Sequence, residues 1–241
     1  MSSAQATSSN AGTGASAVGP SPLLLACREL VKSFGSTVAL NGASLELGPG
    51  EIVAVMGPSG SGKSTLLHCA AGILTPDAGE VVLDGESIGS ASDTRRSELR
   101  RTQFGFVFQF GRLVPELSCM ENVSLPLRLC GVKAREAAGR ASEWLERLEV
   151  TDVAAKIPGE VSGGQGQRVA VARALVTRPR VVFADEPTGA LDSLNGERVM
   201  QLLTTAARET AAAVVLVTHE ARVAAYADRE VIVRDGRTRG A

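Results

Sequence analysis

The chain has 241 residues, 44% of them hydrophobic, and its 25 basic and 26 acidic side chains leave a net charge of −1. The length predicts one large α/β domain with room for an inserted lobe, and the near-zero charge gives no electrostatic reason to expect a nucleic-acid partner. Four scattered cysteines without a Cys-x-x-Cys pair favour reduced thiols over a disulfide framework or a zinc site.

Apolar stretches such as residues 211–217 fall far short of the roughly 20 residues that span a bilayer. The N-terminus lacks the pattern of a signal peptide. We therefore expect any membrane role to come through a partner protein.

Residues 1–22 form a tract of serine, alanine, glycine and threonine. The tract cannot bury enough apolar surface to offset the entropy of ordering, so we expect a disordered tail. Strands are expected at residues 23–27 and 43–47, with a turn-rich stretch between them. Phe34 lies in that stretch and could stack on a base or fill the core, and its spacing favours the core.

A short apolar run at residues 52–56 leads directly into a stretch rich in glycine and serine. Its β-branched residues are typical of a buried parallel strand, and a helix is expected from Ser64 onward. The glycine spacing fits a phosphate-binding loop, in which backbone N–H groups and a helix N-terminus face one anion. The loop comprises Gly57, Pro58, Ser59, Gly60, Ser61, Gly62, Lys63, Ser64 and Thr65.

Two side chains of this loop carry the expected chemistry. Lys63 would reach the β- and γ-phosphates of a nucleotide, and the Ser64 hydroxyl would ligate magnesium. A plain strand-to-helix turn is the alternative. Gly-Lys-Ser at this spacing after a strand favours the phosphate loop.

A charged segment at residues 93–101 is expected to be a solvated helix, and a buried strand follows at residues 104–108. That strand delivers Gln109 to the edge where α/β sheets bind ligands, although a loop hydrogen bond would otherwise be favoured for an isolated glutamine. Residues 110–160 have helical apolar spacing, which predicts a helical lobe inserted between core strands. Trp144 lies on the apolar stripe of this lobe and is expected to pack there.

A second loop rich in glycine precedes another expected helix. Ser162 is a natural N-cap, and the two glycines after it expose backbone amides without side chains in the way. The stretch predicts a second anion site, comprising Ser162, Gly163, Gly164 and Gln165. Helix capping alone would account for the same residues, so both interpretations stay open here.

A hydrophobic strand before Pro187 ends in Asp185 and Glu186. Beside a phosphate loop, Asp185 would hold the magnesium shell and Glu186 would orient or deprotonate an attacking water. The buried strand expected at residues 213–217 leads to His219. A lone histidine is usually structural, but four strands that deliver polar residues to one edge favour a functional role. His68, inside the helix after the phosphate loop, is expected to be a packing residue.

In their order, these motifs resemble the nucleotide-binding subunit of an ABC transporter. They correspond to the Walker A loop, the Q-loop, the signature, Walker B with the D-loop, and the switch histidine, at residues 57–65, 109, 162–165, 184–192 and 219. The resemblance covers about residues 23–240. Its detail at residues 108–127 and 184–192 is similar to the lipoprotein-release and macrolide-export branch, which also contains the cell-division subunit.

The resemblance implies an α/β fold: a P-loop NTPase core of the RecA type with an antiparallel β subdomain and an inserted helical subdomain. Residues 23–108 and 178–241 would form the core with the β subdomain, and a last strand at residues 231–233 would close it. Residues 109–177 would hold the Q-loop, the helical lobe and the signature helix.

The resemblance also implies a site for ATP and Mg²⁺ in a head-to-tail dimer. ATP would lie between the phosphate loop of one subunit and the signature of the other. Phe34 would then stack on adenine, which reverses the preference for core packing. Glu186 would act as general base and His219 as sensor of the γ-phosphate. Catalytic roles would fall to Glu186, His219, Lys63 and Gln109, magnesium contacts to Ser64, Gln109 and Asp185, and further nucleotide contacts to Gln165 and Asp192.

Two partners are implied: a second ATP-binding subunit, expected to be an identical copy, and an integral-membrane permease that docks on the helical lobe. The protein would then lie at the cytoplasmic face of the inner or plasma membrane, held there by the permease. ATP hydrolysis would drive export of a substrate or its extraction from the membrane.

Two other functions stay open. The first is a regulatory or mechanical ATPase that moves a membrane partner without transport, as in the cell-division branch. The second is a soluble ATPase acting on DNA or ribosomes, which the neutral charge and the lack of a long coiled-coil insertion or a second cassette disfavour.

One residue departs from the family pattern. Gly166 stands where the family usually has a good helix former, and glycine inside a helix costs up to about 1 kcal/mol relative to alanine. We therefore expect a loosely formed start of the signature helix.

Overall fold

The computed structural model describes residues 23–240, so the expected tail at residues 1–22 lies outside the described residues. One of its two sheets is antiparallel and consists of β1 (Leu25–Phe34), β2 (Thr37–Leu47), β4 (Ala78–Leu83) and β5 (Glu86–Ser87). The strand order is β2-β1-β4-β5. This sheet is the expected antiparallel subdomain. Most of its buried side chains belong to the same hydrophobic cluster as those of Val53, Val55 and residues 66–67.

The second sheet has six strands and carries the candidate site. It consists of β3 (Ile52–Met56), β6 (Phe104–Phe108), β7 (Val181–Asp185), β8 (Ala213–Val217), β9 (Arg229–Arg234) and β10 (Arg237–Gly240). The order is β10-β9-β3-β8-β7-β6, with β10 antiparallel and the other neighbours parallel. The register places Phe108, Asp185 and Val217 side by side, so these strands end at one edge.

Helices connect the strands. They are α1 (Lys63–Ala70), α2 (Asp93–Thr102), α3 (Cys119–Leu129), α4 (Ala134–Arg147), α5 (Gly163–Leu175), α6 (Ser193–Glu209) and α7 (Ala221–Ala224), with 3₁₀ turns at Thr151–Val153 and Pro158–Glu160. None of these helices is long and apolar enough to cross a membrane. Helices α3, α4 and α5 lie between β6 and β7 in the chain, where the helical lobe was expected. The division of the domain at residues 109 and 177 stays a prediction.

The core lies on both faces of the six-stranded sheet. Alternate residues of a strand point to opposite faces: Val182 and Ala184 pack toward α3–α6, whereas Val181 and Phe183 pack toward α1 and the antiparallel sheet. Trp144 is 4% exposed within the helical cluster, which confirms its expected packing role.

The first hairpin is longer than the sequence indicated. Strands were expected at residues 23–27 and 43–47, but β1 and β2 continue toward each other and leave only a tight turn at Gly35 and Ser36. The pairing of β1 with β2 shifts register at three places, so the alternation of apolar and polar residues is broken. That irregularity hides the strand pattern in the sequence.

The C-terminal end also carries an additional strand. A single last strand at residues 231–233 was expected, but β9 spans Arg229–Arg234 and β10 pairs with it antiparallel. The sequence did not indicate β10 because arginines at residues 237 and 239 leave this segment without an apolar run.

The start of α5 is regular, so the expected loose start at Gly166 is wrong. The Ser162 hydroxyl accepts a hydrogen bond from the Gln165 amide, and the Gln165 side chain accepts one from the Ser162 amide, which completes a capping box. The Gly166 amide donates to the Ser162 carbonyl oxygen at 2.9 Å. These end contacts offset the low helix propensity of glycine.

We predict that Gly166→Ala stabilises the protein by about 0.5–1 kcal/mol, because an alanine loses less backbone entropy on folding. A Cβ at this position would meet only Val161, at an ordinary 3.7 Å. The matched variant Gly105→Ala should instead destabilise by about 1–3 kcal/mol, because its Cβ would lie 2.3 Å from the Ala174 carbonyl oxygen. Urea unfolding of both variants measures the two changes, and a loss of stability in Gly166→Ala would contradict the first.

Candidate active site

The candidate site lies where four parallel strands end. The strands β3, β8, β7 and β6 are neighbours, and their buried side chains fix the positions of the loops that follow. Backbone hydrogen bonds extend the sheet beyond the strands, from the Glu186 amide to Val217 at 2.9 Å and from the Thr218 amide to Val55 at 3.2 Å. The residues that end these strands are therefore held together, as the sequence predicted.

The phosphate loop connects the end of β3 to the start of α1. Lys63 is 7% exposed, and its Nζ donates to the carbonyl oxygens of Gly57 and Pro58, at 2.9 Å each. Only glycine fits at residues 57 and 62, because another stretch of backbone lies close to each of them. A Cβ on Gly57 would lie 2.1 Å from the carbonyl oxygen of residue 233, and a Cβ on Gly62 would lie 2.4 Å from that of residue 39. At Gly60, by contrast, a Cβ would meet nothing described within 4 Å, so this side of the loop is open.

Two observations fit a bound phosphate at this loop. The Ser61 hydroxyl is buried and has no hydrogen-bond partner among the described residues. Gly60 and Gly62 have positive φ angles of 76° and 105°, which turns successive backbone amides in a way that favours anion binding.

A carboxylate and a hydroxyl at the base of the loop fit a magnesium ion. The Ser64 Oγ donates to Asp185 Oδ1 at 3.2 Å. Burial raises the pKa of Asp185, while the Ser64 hydrogen bond and the charge of His68 lower it to a smaller extent. Oxygen ligands suit Mg²⁺, and a nearby cation would favour the ionised form of a carboxyl group that burial disfavours. His68, which the sequence indicated as a packing residue, is half-buried in α1.

Glu186 and His219 form the polar pair on the open side of the edge. The His219 Nδ1 lies 2.9 Å from Glu186 Oε1, and 57% of the His219 side chain is exposed. Glu186 has a φ of +46°, a left-handed conformation that is uncommon for a residue with a side chain. Such strain occurs preferentially at functional sites, and here it turns the carboxylate out of the strand.

Gln109 and Glu186 approach each other over Gly189. A Cβ at residue 189 would lie 2.9 Å from the Gln109 Nε2 and 3.2 Å from Glu186 Oε2. Any side chain at this position would therefore displace the glutamine amide or the candidate base. Gln109 lies at the same edge as Lys63 and Asp185, where the sequence predicted it.

The signature lines a cavity whose described lining contains no residue of the phosphate loop. A Cβ on Gly163 would lie 3.4 Å from Leu191, and one on Gly164 would lie 2.9 Å from the Asn195 side chain, so both glycines pack against the start of α6. The Gln165 side chain approaches Asp152 at 3.3 Å. The signature therefore faces a separate cavity of about 310 Å³, which the Q-loop and the D-loop also line.

Asp192 caps α6 by accepting from the Asn195 amide at 2.9 Å. This hydrogen bond keeps the pKa of Asp192 below its usual value. Capping of α6 is a sufficient structural role for Asp192, and a contact between Asp192 and a nucleotide stays a prediction. No motif of the sequence indicated Asn195, whose signal is its position three residues after a capping aspartate.

Phe34 ends β1 on the surface, so the interpretation as a core residue is wrong. Its exposed fraction is 50%, and the Lys32 ammonium lies 5.9 Å from the ring centroid. An exposed ring is free to stack on a planar base. The adenine contact that the resemblance implies stays a prediction.

Comparisons with known proteins agree with this geometry. The ABC transporter family profile matches residues 40–189. The lipoprotein-releasing system ATP-binding protein LolD 2 of Caulobacter vibrioides is 44% identical over 88% of this chain and 95% of its own. The LolD protein of Bacteroides thetaiotaomicron is also 44% identical, over 86% and 95%.

Solved structures show the same fold. The dimeric structure of MJ0796, a bacterial ABC transporter cassette, superposes with a TM-score of 0.83 at 38% identity, over 90% of this chain and 98% of that one. A dimeric post-hydrolysis state of MJ0796 bound to ADP and Pi gives a TM-score of 0.82 over the same shares. The resemblance inferred from the motifs is therefore confirmed, and the chain belongs to the ABC transporter family as one of its ATP-binding, ATP-hydrolysing cassettes.

Proposed function

We propose that this cassette drives a separate membrane permease that extracts lipoproteins from a membrane. The Glu186–His219 pair beside Ser64 and Asp185 carries the ATPase part of the proposal, because it sets a candidate base next to a magnesium and phosphate site. The lipoprotein part rests on relatives that are 44% identical and are named as parts of lipoprotein-releasing systems. The same names favour transport over a purely regulatory role.

The residues of this chain divide the work of hydrolysis. Lys63 exchanges its two carbonyl partners for phosphate oxygens, and the open face of the loop offers backbone amides to the same group. Ser64 and Asp185 would hold Mg²⁺, with Gln109 as a further contact, and the ion would neutralise the charge that develops on the phosphates. Glu186 accepts the proton of the attacking water, and His219 keeps the carboxylate oriented.

A second copy would complete the site. The signature glycines lie beside the start of α6, and the cavity that the signature lines includes no described residue of the phosphate loop, which favours a contact with a nucleotide held by another subunit. The MJ0796 cassette is dimeric in both solved structures. We infer a head-to-tail homodimer with ATP between the two copies, and Phe34 stacked on the adenine.

A groove between the sheet and α3 suits the permease. It has a volume of about 500 Å³, and its lining includes Phe106, Phe108, Leu125 and Leu129 together with several arginines. Leu129 is 61% exposed there. Exposed apolar surface of this kind marks interaction sites. Docking of the permease at this groove would hold the cassette at the cytoplasmic face of the inner membrane.

The Glu186→Gln variant tests the base. We expect ATP binding to persist, the hydrolysis rate to fall by at least about 100-fold, and an ATP-bound dimer to accumulate in size-exclusion chromatography. The control Glu209→Gln removes an exposed carboxylate paired with Arg147 and should leave the rate unchanged. A Glu186→Gln protein that hydrolyses ATP at the wild-type rate would remove Glu186 from the base role.

The Asp185→Asn variant tests the metal site through stability. Because burial raises the pKa of Asp185, the folded state holds this proton more tightly than the unfolded state, so stability falls as pH rises from the ordinary value of 3.8 through the folded pKa. At pH 7 without magnesium, we therefore expect Asp185→Asn to melt at a higher temperature than the wild type and to lack magnesium-dependent hydrolysis. The difference in melting temperature should vanish at strongly acidic pH.

Asp77→Asn is a control of opposite sign. The Lys32 hydrogen bond keeps the pKa of Asp77 low, so loss of the Asp77 charge should lower the melting temperature at pH 7.

Lower stability of Asp185→Asn than of the wild type in the presence of a chelator would contradict the prediction for Asp185. It would show that burial does not destabilise the Asp185 carboxylate, and the argument for a cation there would fail.

The Leu129→Asp variant tests the permease groove. A charge at this exposed position should be poorly accommodated against an apolar partner, so the integral-membrane protein that co-purifies in mild detergent should be lost. ATP hydrolysis by the isolated cassette should stay unchanged. Ile73→Asp, at a 43% exposed residue outside the groove, is the matched control. If Leu129→Asp retains the membrane partner, the docking surface lies elsewhere.

A further inference from the structure

The turn that follows Gln109 has an unusual backbone. Phe110, Gly111 and Arg112 have successive φ angles of 62°, 66° and 45°, all in the left-handed region. Glycine adopts this conformation freely, but in residues with a side chain the Cβ crowds the backbone. Phe110 also has 76% of its surface exposed, so its own packing does not hold the turn. Two backbone hydrogen bonds lie within the turn, from the Gly111 amide to the Phe108 carbonyl oxygen at 3.0 Å and from the Arg112 amide to the Phe110 carbonyl oxygen at 2.7 Å. Side chains of α5 add further contacts to it.

Arg173 supplies the first of these contacts. Its Nη2 donates to the Gly111 carbonyl oxygen at 2.7 Å, and its Nη1 donates to the Arg112 carbonyl oxygen at 2.8 Å. The planar guanidinium therefore bridges two consecutive peptide groups of the turn. Hydrogen bonds from a charged donor are stronger than neutral ones, and the fork geometry of arginine fixes both acceptors at once.

Gln167 supplies the second contact from the same helix. Its side chain is 3% exposed, and its Nε2 donates to the Phe108 carbonyl oxygen at 3.0 Å. Ala170 lies between the two donors, 3.5 Å from the position of a Cβ at Gly111. Residues three apart share one face of a helix, so Gln167, Ala170 and Arg173 form a continuous face of α5 against the turn.

These contacts lie on both sides of Gln109. Gln167 holds the peptide group that precedes Gln109, and Arg173 holds the two peptide groups that follow Gly111 and Arg112. The Gln109 side chain in turn lies close to Gly189 and Glu186, where a displacement of about 1 Å can cost roughly 100-fold in rate.

We propose that Arg173 and Gln167 are positioning residues, which hold the left-handed turn at residues 110–112 and thereby place Gln109 in the hydrolytic site. The proposal rests on the ATPase function proposed above. Helix α5 begins with the signature at its N-terminus, so the same rigid element carries the second anion site and sets the position of Gln109.

The test is a double-mutant cycle between Arg173→Met and Gln109→Ala. Methionine keeps the apolar stem of arginine without its donors. We expect Arg173→Met to lower kcat about 10- to 100-fold with little change in KM for ATP. In the Gln109→Ala background the same substitution should change kcat less than about twofold, because Arg173 acts through Gln109. Arg173→Lys should recover part of kcat.

Hydrogen exchange gives a readout that does not depend on activity. Without nucleotide, amides 109–113 should exchange roughly 10- to 100-fold faster in Arg173→Met. Arg168→Met is the matched control, because Arg168 also donates to two carbonyl oxygens, those of Leu148 and Glu149, from the same helix. The control should leave exchange at amides 109–113 unchanged, and any effect on kcat should persist when Gln109 is alanine.

Each outcome decides the proposal. Additive effects of Arg173→Met and Gln109→Ala on kcat, or unchanged exchange at amides 109–113, would overturn it. If Arg173→Met does not fold, Gln167→Met takes its place in both measurements. A wild-type protein without ATPase activity would refute the proposed function, whereas the exchange data would still show whether α5 holds the turn.

Discussion

The structure depends on the register of one parallel sheet. The buried strands β3, β6, β7 and β8 end at one edge, and hydrogen bonds beyond their ends hold Glu186 and Thr218 in line. Three groups at this edge are each unfavourable by themselves: a carboxyl group whose pKa burial raises, a glutamate with a positive φ, and a buried hydroxyl that finds no partner among residues 23–240. Burial of the apolar side chains of these strands supplies the free energy that keeps the three groups in place. A bound magnesium nucleotide would offer a partner to the carboxyl group and to the hydroxyl.

Much of this edge could be predicted because its signals are local. Each strand is a short apolar run with a polar residue at its end or in the loop that follows. Lys63, Gln109, Asp185 and His219 can therefore be assigned to one edge of a parallel sheet without knowledge of the strand order. Ser162 is also recognisable, since a capping box needs only four consecutive residues. The order β3-β8-β7-β6 is not encoded in any one motif, because it depends on how the connecting helices pack.

Features that depend on distant contacts could not be predicted from the sequence. The spacing of Phe34 favours a core residue, yet this residue ends β1 on the surface, in a hairpin whose register is irregular. Strand β10 has no apolar run and exists only through its pairing with β9. The need for glycine at residue 189 comes from Gln109 and Glu186, two side chains that the sequence places 77 residues apart.

The contacts of α5 explain how one helix can serve two nucleotide sites. Its N-terminus carries the signature and packs against Asn195, at the start of α6, while its second half holds the turn after Gln109. A helix of 13 residues moves as a rigid rod over this length, about 20 Å. In a head-to-tail dimer, a shift of the signature on a nucleotide bound by the partner would therefore be transmitted to Gln109 in the helix's own subunit. Arg173 and Arg112, one of the turn residues that Arg173 holds, also line the proposed permease groove, so docking and hydrolysis would act on the same turn.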